Sequence, residues 1–578
     1  MTIHIKRRPF EATITFKQNL HPILQRIYWA RGIHCSSELE RSLQDLLPYH
    51  SLTGINQAVN QLYQALVHHK HIMIIGDFDA DGATSTALAV TALRSFGAKQ
   101  VSYLVPNRFA YGYGLSPEIV QEAAKQKPDL IITVDNGIAS HAGVTKANSL
   151  GIGVIITDHH LASHTLPDAL AIVNPNQPGD LFPSKCLAGV GVIFYVMLAL
   201  RAYLREMDWF RKERLAEPNM ADLLDLVALG TVADVVPLDK NNRILVHQGI
   251  MRIRAGQVRP GILALLQIAK RNPQQLIASD LGFALGPRLN AAGRLDDMSL
   301  GIACLLAHDL NQARTIAKTL DELNSERRLI EAEMQQQAFN ELNKLQFNSQ
   351  QLPFGLCLYD ELWHQGVIGI LASRVKDQLH RPVIAFAPSG EQELKGSARS
   401  INGIHIRDVL DSIATQYPEL IDKFGGHAMA AGLSLAKPKF LEFSKAFDME
   451  IRKQLAESDL RGEIYTDGEL AENDLTLELA ELIREAGPWG QAFPEPLFKG
   501  EFEILEQRLV GSKHLKLVLA TPNMQLIDAI AFNIDLHSWP NHRVRKVTMV
   551  YRLDINEFNG KRTLQLIIEH LHPLNYSP

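Results

Sequence analysis

His71-Ile72-Met73-Ile74-Ile75-Gly76-Asp77-Phe78-Asp79-Ala80-Asp81-Gly82 sets three carboxylates at alternate positions directly behind an apolar, β-branched run, with no Lys or Arg among them. Crowded carboxylates of this kind are tolerated where a hard divalent cation with oxygen ligands neutralises them. A calcium-binding EF-hand loop begins with the same D-x-D-x-D-G. That reading fails at the twelfth position, where a bidentate Glu is required and Leu88 stands. The run before the acids also has the look of a strand rather than a helix. The stretch is therefore read as a strand-to-helix turn carrying acids.

Around this stretch, apolar runs at Ile72 to Ile75, Val101 to Val105, Leu130 to Val134, Val154 to Thr157 and Ala171 to Val173 alternate with helix-like stretches at Ala83 to Phe96, Ser116 to Lys125 and Ser140 to Leu150. Alternation of this kind predicts an α/β fold with a parallel sheet covered on both faces. Ligands of such sheets bind beyond the carboxyl ends of the strands. The opening rule then recurs. Asp135 ends Ile131-Ile132-Thr133-Val134, and Asp158-His159-His160 ends Val154-Ile155-Ile156-Thr157; a further acid, Asp234, lies in Thr231-Val232-Ala233-Asp234-Val235-Val236-Pro237. Taken singly, an Asp after a strand is more often a turn former or helix cap, and a His pair is more often structural than ligating. Recurrence at strand ends shifts the balance toward one metal site. Oxygen-rich ligation with one or two imidazoles favours Mn²⁺, with Mg²⁺ as the second candidate.

The 578 residues exceed one ordinary core and predict several domains. Cys35, Cys186, Cys304 and Cys357 lie far apart without metal-ligand spacing, which excludes a zinc site or disulfide framework and predicts inert core thiols in a reducing cytoplasm. The basic start at Lys6-Arg7-Arg8 precedes polar sequence, so no secretory signal is read. The apolar run Leu187 to Leu200 predicts a buried helix and no membrane span. A net charge of −5 excludes a general duplex-coating protein and confines nucleic-acid contact to a local basic cleft.

Residues 190–300 are expected to be mainly helical, and Ile316, Leu320, Leu323, Ile330, Met334, Ala338 and Leu342 form an apolar stripe on a long charged helix. The expected domains are an N-terminal segment (1–50), a parallel-sheet catalytic domain (51–305), a connector helix (306–350), a smaller α/β domain (351–456) and a C-terminal β domain (457–578). The last carries five short strand patterns over about eighty residues, which fits an OB-like β-barrel or another small β fold. Lys513, His514, Lys516, Arg543, Arg545, Lys546, Arg552, Lys561 and Arg562 lie on or beside those strands, as a nucleic-acid track or a solvated face. Residues beyond about 460 are not expected to be needed to assemble the acid constellation.

"DFDADG", "VDNG", "TDHH" and "TVADVVP", in that order, resemble the motifs of the DHH phosphoesterase superfamily, and "WHQGVIGILASR" (363–374), "KGSARS" (395–400) and "GGHAMAAG" (425–432) resemble its DHHA1 domain. With "PNRFAYGYGLS" (106–116), "PRLNAAGR" (287–294) and the C-terminal β domain, the chain is similar over nearly its whole length to the branch that degrades single-stranded DNA from the 5′ end. The resemblance implies two divalent ions held by Asp79, Asp81, Asp135, His159 and Asp234, with Asp135 bridging. It implies catalytic roles for His160 at the leaving oxygen, for Asp158 orienting the histidines, and for Asp77 within the acid cluster. Substrate contacts are implied at Arg108, Tyr113, Arg288, Asn290, Arg294, Ser397, Arg399 and His427, with Ser397 and Arg399 at a 5′-phosphate pocket. Single-stranded DNA is the implied partner of a monomer, with a single-strand-binding protein and a helicase as candidate protein partners. The rival readings are a phosphodiesterase for short oligonucleotides or cyclic dinucleotides, and a non-catalytic single-strand-binding scaffold.

Overall fold

The fold was obtained as a computed structural model that describes residues 3–10, 20–106, 114–163, 165–347, 352–456, 460, 462–511, 513–534, 536, 539–558 and 560–574. The chain divides into two compact units. One comprises Arg7–Gly293, Asp297–Leu320 and Tyr465–Pro578; the other comprises Met1–Lys6, Arg294–Asp296 and Asp321–Ile464.

The larger unit is built on a five-stranded sheet in the order Gln100–Leu104, His71–Gly76, Leu130–Val134, Gly153–Thr157, Ala171–Val173. All four pairings are parallel, as the alternating pattern predicts. Met73, Ile75, Ile131, Val154 and Ile156 face one side and pack on Ile119, Val144 and Ala147 of the crossover helices. Ile72, Ile74, Ile132 and Ile155 are equally buried, so both faces of the central strands are covered. The helix Ala80–Ser95 follows the acid stretch and is capped by Asp79, whose Oδ1 accepts from the backbone N–H of Asp81 and of Gly82 at 3.0 Å each. It is buried nearly all round, which its small and apolar residues permit. Leu88, the residue that excluded a calcium loop, is fully buried inside it.

Five further strands close the barrel Phe498–Val510, His514–Ala520, Leu526–Ala531, Lys561–Leu574, Lys546–Phe558, with one parallel pairing between Leu526–Ala531 and Lys561–Leu574. This is the expected C-terminal barrel, but it does not stand apart. Leu238 donates its N–H to the Gln491 carbonyl at 2.8 Å, and Tyr28 stacks against both Trp489 and Phe493. The buried Arg31 guanidinium pairs with Asp467 at 2.7 Å and also donates to the carbonyls of Ile27 and Pro494. The sequence "GPWGQAFPEP" is thus a seam inside the unit that carries the acids, although none of the grouped acids and histidines among the described residues comes from past 460.

The smaller unit holds a mixed sheet ordered Lys423–Gly426, Ala430–Ala436, Glu393–Arg399, Val383–Ser389, Leu356–Tyr359, antiparallel except for its last pair. The helix Leu310–Phe347 is the expected long connector. Its apolar stripe is interrupted. Between Leu320 and Met334 the buried positions are Asn324, Arg327 and Glu331, linked by Arg327 bonds of 3.1 Å to Asn324 and 2.6 Å to Glu331. Of the four cysteines, Cys304 is buried whereas Cys35 is exposed beside Ser37 and Glu38, so the expectation of four core thiols fails at Cys35. Among the described residues no helix is long and apolar enough to cross a membrane, and the Leu187 to Leu200 run, after its first two residues, lies in the buried part of the helix Gly189–Glu206.

Candidate active site

Four of the five strands finish level. Gly76 pairs with Val134, Val134 with Thr157 and Thr157 with Val173, so Asp77, Asp135, Asp158 and Asn174 leave the sheet side by side. Asn136 splices two of these ends, its amide donating to the carbonyls of Ile75 (3.1 Å) and Val134 (2.9 Å). Asp135 itself sits at φ 62°, in the left-handed region that a non-glycine residue rarely adopts. A Cβ on Gly189 would stand 2.5 Å from the Asp135 Cβ, so the start of the helix Gly189–Glu206 must be glycine for the acid to fit beneath it.

Asp81 and Asp234 reach the same place from helices. Asp81 lies in the first turn of Ala80–Ser95 and accepts from the backbone N–H of Gly189 (2.6 Å) and of Val190 (2.9 Å). Asp234 caps the carboxyl end of Leu224–Ala233. His159 Nε2 lies 3.1 Å from Asp135 Oδ1 and 3.5 Å from Asp234 Oδ2. Asp77, Asp79 and Asp135 bring one ligand atom each within 4.8 Å of one another, and so do Asp81, His159 and Asp234, and Asp135, His159 and His160. The first two sets share no residue.

Charge crowding has the expected electrostatic consequence. Burial, reinforced by Asp79, pushes the Asp81 carboxyl up to about 7 against the opposing backbone N–H bonds. Burial and the neighbouring acids raise Asp135 and Asp234 well above the carboxylate range. Such a cluster cannot stay ionised in a dry site without a cation, so an all-oxygen set beside an oxygen and imidazole set fits Mn²⁺ or Mg²⁺.

His160 differs from His159. Burial acts to lower its pKa, but the 2.7 Å bond from its Nδ1 to Asp158 and the charges of Asp158, Asp77 and Asp79 carry it up to about 9. Asp158 is buried, which acts to raise its pKa; the His160 bond and charge, with help from His159 and the Ile138 N–H, hold it down at about 2. Asp158 also accepts from the backbone N–H of His159 (2.7 Å) and His160 (3.1 Å), fixing the loop. An imidazolium has no lone pair for a metal, so His160 is suited to donate a proton and His159 to ligate. Asn174 and Asn176 complete the cradle by donating to the carbonyls of His160 (2.9 Å) and His159 (2.5 Å). Neither asparagine was singled out in the sequence, although Asn174 obeys the same rule as the acids, a polar residue directly after a strand.

Two of the expected substrate residues are tied into the scaffold. Asn290 Oδ1 accepts from the Ala80 N–H at 2.8 Å, so it steadies the acid turn, and Arg288 donates to Ala284 one helical turn back. On the same helix, a Cβ at Gly293 would lie 1.7 Å from the Phe78 carbonyl oxygen; only glycine lets the "PRLNAAGR" backbone press on the acid loop. Arg108 and Tyr113 lie outside the described residues.

In the smaller unit, Arg294 donates to the Gly366 carbonyl at 3.0 Å. Arg399 donates to Ser397 Oγ at 3.1 Å, and a Cβ on Gly369, at the start of the helix Ile368–Leu379, would stand 2.8 Å from the guanidinium and 2.9 Å from Ser397 Oγ. Hydroxyl, guanidinium and helix N-terminus therefore converge, a donor set matched to a phosphate. Gly432 pairs with Ser397 and Gly425 with Gly432; a Cβ on Gly425 would meet open space and one on Gly432 only the Gly396 carbonyl oxygen at 4.0 Å. His427 is exposed in the turn that follows Gly426, its N–H bonded to the Ala430 carbonyl.

Known proteins carry the same parts. Residues 71–231 match the DHH family N-terminal domain, 353–453 the DHHA1 domain and 466–570 the RecJ OB domain. The single-stranded-DNA-specific exonuclease RecJ of Dickeya dadantii is 59% identical over 572 residues, covering 99% of each chain, and that of Escherichia coli is 56% identical over 574 residues with the same coverage. The crystal structure of RecJ from Thermus thermophilus with Mn²⁺ is 30% identical with a TM-score of 0.77, covering 96% of this chain and 76% of that one; its Mg²⁺ counterpart has a TM-score of 0.73 at 28% identity, covering 96% and 75%. On full-length identity and on all three domains, this chain belongs to the RecJ family.

Proposed function

We propose that the chain is a metal-dependent exonuclease that hydrolyses single-stranded DNA from the 5′ end to 5′-mononucleotides, in recombination and repair. The observation that carries this reading is the pair of disjoint ligand sets, Asp77-Asp79-Asp135 and Asp81-His159-Asp234, at the level ends of one sheet. Two sets of three donors support two ions, with Asp135, 3.1 Å from His159, as the residue between them. Divalent cations held there would supply a water of lowered pKa and neutralise the phosphate's charge.

The chain's own residues supply the rest. His160, whose pKa the Asp158 bond raises, would give its proton to the departing oxygen, with Asp158 keeping the ring oriented. Ser397 and Arg399 would hold the terminal 5′ phosphate, and the open glycine surface beside them would admit a nucleic-acid backbone. The proposed division of labour is catalysis by 51–305, a connector at 306–350, end recognition by 351–456 and strand binding by the barrel region 457–578, behind an N-terminal segment 1–50. A single-strand-binding protein and a helicase, which present or expose such strands, are the partners this reading asks for, with the enzyme a cytoplasmic monomer.

Digestion of 5′- and 3′-labelled single strands, duplexes and dinucleotides with Mn²⁺, Mg²⁺ or chelator tests the proposal. Mononucleotides should appear first from the 5′ end of single strands and vanish with chelator. Preference for dinucleotides would transfer the chain to a short-oligonucleotide phosphodiesterase. Asp135→Ala should lower turnover by at least about 10³-fold, the scale of losing a main electrostatic stabiliser; near-normal hydrolysis by the folded variant would sink the assignment.

A further inference from the structure

Next to the segment that carries Asp234, the larger unit contains a cavity of about 410 Å³. Val232 and Val235, which bracket Asp234, form one wall; Phe283 and Trp489 contribute flat aromatic surface; Ile250 and Arg484 also line it. A mostly apolar hollow of this size with a few polar groups is what small-molecule sites look like.

Its charges point to the class of ligand. Three guanidiniums line the cavity, and two already have carboxylates: Arg254 donates to both oxygens of Glu485 at 2.8 and 3.0 Å, and Arg552 pairs with Glu495 at 2.7 Å. Arg484 donates only to the Gln275 carbonyl, at 3.0 Å, and among the described residues has no carboxylate partner. One uncompensated cation beside aromatic walls selects a flat, apolar molecule with a single negative group.

The walls also bear on the metal ligand. A Cβ at Gly282, in the π-helical turn Leu281–Leu285, would stand 3.1 Å from Val232 Cγ1, so that turn lies directly on the end of the Asp234 helix. Val235, the residue after Asp234, is 61% exposed and held at φ 61°, a conformation costly for a β-branched side chain. Three residues further on, the Leu238 N–H is tied to the carbonyl of Gln491, another wall residue. Strain and a single-turn π-helix at one wall mark a segment that is costly to hold and that contacts from a ligand can bias.

We propose that this cavity is a regulatory site for small aromatic monoanions, and that filling it shifts the Asp234 segment and with it the affinity for divalent cations. The coupling rests on Asp234 being a metal ligand; the binding does not. The probe pair is 8-anilino-1-naphthalenesulfonate and its uncharged analogue N-phenyl-1-naphthylamine, titrated by fluorescence into the folded full-length chain. The sulfonate should bind one saturable site. Arg484→Gln should weaken it about tenfold, as expected for losing one charge-assisted contact, while changing the uncharged analogue less than about twofold. Met251→Trp or Ala278→Trp, both at lining positions, should block both probes in variants that keep the parent's circular dichroism and melting temperature. Absence of saturable binding, equal effects of Arg484→Gln on both probes, or insensitivity to both tryptophan variants would overturn the site. Displacement by a ten-residue oligothymidylate would also overturn it, because the cavity would then be part of the DNA track. For the coupling, the Mn²⁺ dissociation constant should move about fivefold with probe bound, within the usual range for linked sites. An unmoved constant would overturn the coupling alone, and failure of Mn²⁺ to bind at all would overturn the metal reading while the probe titrations still decide the cavity.

Discussion

At Asp158 and His160 the consequences of charge can be worked out with their sign. The imidazolium contributes stability that is fully present below its ordinary value of 6.5 and lost as pH rises through about 9; the carboxylate contributes stability present above 3.8 and lost as pH falls through about 2. Replacing Asp158 by Asn removes the 2.7 Å partner and its charge, so the His160 pKa should fall by more than about one unit toward the ordinary imidazole value. A proton NMR titration of the His160 ring in the metal-free protein reads this directly. A ring still titrating near 9 would remove Asp158 from its role, whereas a drop should be accompanied by loss of activity on the alkaline side at lower pH. Asp77, Asp135 and Asp158 were legible in the sequence because each directly follows an apolar run that could only be a buried strand. Asp234 was not legible that way. It ends a helix, so the apolar run before it marked the acid without placing it at a strand end.

Elements are positioned at this site by what glycine permits. Gly293→Ala would drive a methyl group into the Phe78 carbonyl 1.7 Å away, where backbone on both sides leaves no easy relief. We expect the acid turn to move, with turnover falling by at least about tenfold and stability by about 1 to 3 kcal/mol, the cost of overpacking; a variant with both unchanged would mean that the "PRLNAAGR" helix does not set the turn. Periodicity revealed the strands and most helices, because burial repeats at 2.0 or 3.6 residues. It could not reveal why a glycine stands at a contact between distant segments. It also misread the middle of the connector helix, where Arg327 and Glu331 are buried as a bonded pair. A charged residue at a core position looks like a break in the stripe unless its partner is known. Glu331→Ala, which strands the Arg327 guanidinium and also removes the Arg374 contact of 2.9 Å, should cost about 3 to 5 kcal/mol in chemical denaturation.

Over the whole molecule, the barrel region is tied to the unit that carries the acids. Its approach segment is structural for the catalytic unit. Asp467→Ala would leave the buried Arg31 unpaired and should cost about 3 to 5 kcal/mol, so truncation near residue 460 removes part of a core rather than an accessory. The DNA role is better tested by charge than by deletion. Of the cations read as a track, Lys516 is paired with Asp528, Arg552 with Glu495 and Arg562 with Glu481, so a paired cation has less charge left to offer a phosphate. Arg543, Arg545 and Lys546 are exposed, as are Lys513 and Lys561. Beside Lys513, Phe532 is 52% exposed with its ring edge-on to His514 at 5.1 Å, which provides a stacking surface that the sequence pattern did not reveal. Replacing Arg543, Arg545 and Lys546 together by Gln should weaken binding of long single strands and make its logarithmic salt dependence shallower by about 2, at roughly 0.7 per lost phosphate contact. Cleavage of short oligonucleotides should be retained, since none of the three belongs to the acid cluster or the Ser397–Arg399 site. If affinity and salt slope on long strands are both unchanged, the exposed cations are a solvated face, and the strand must run elsewhere.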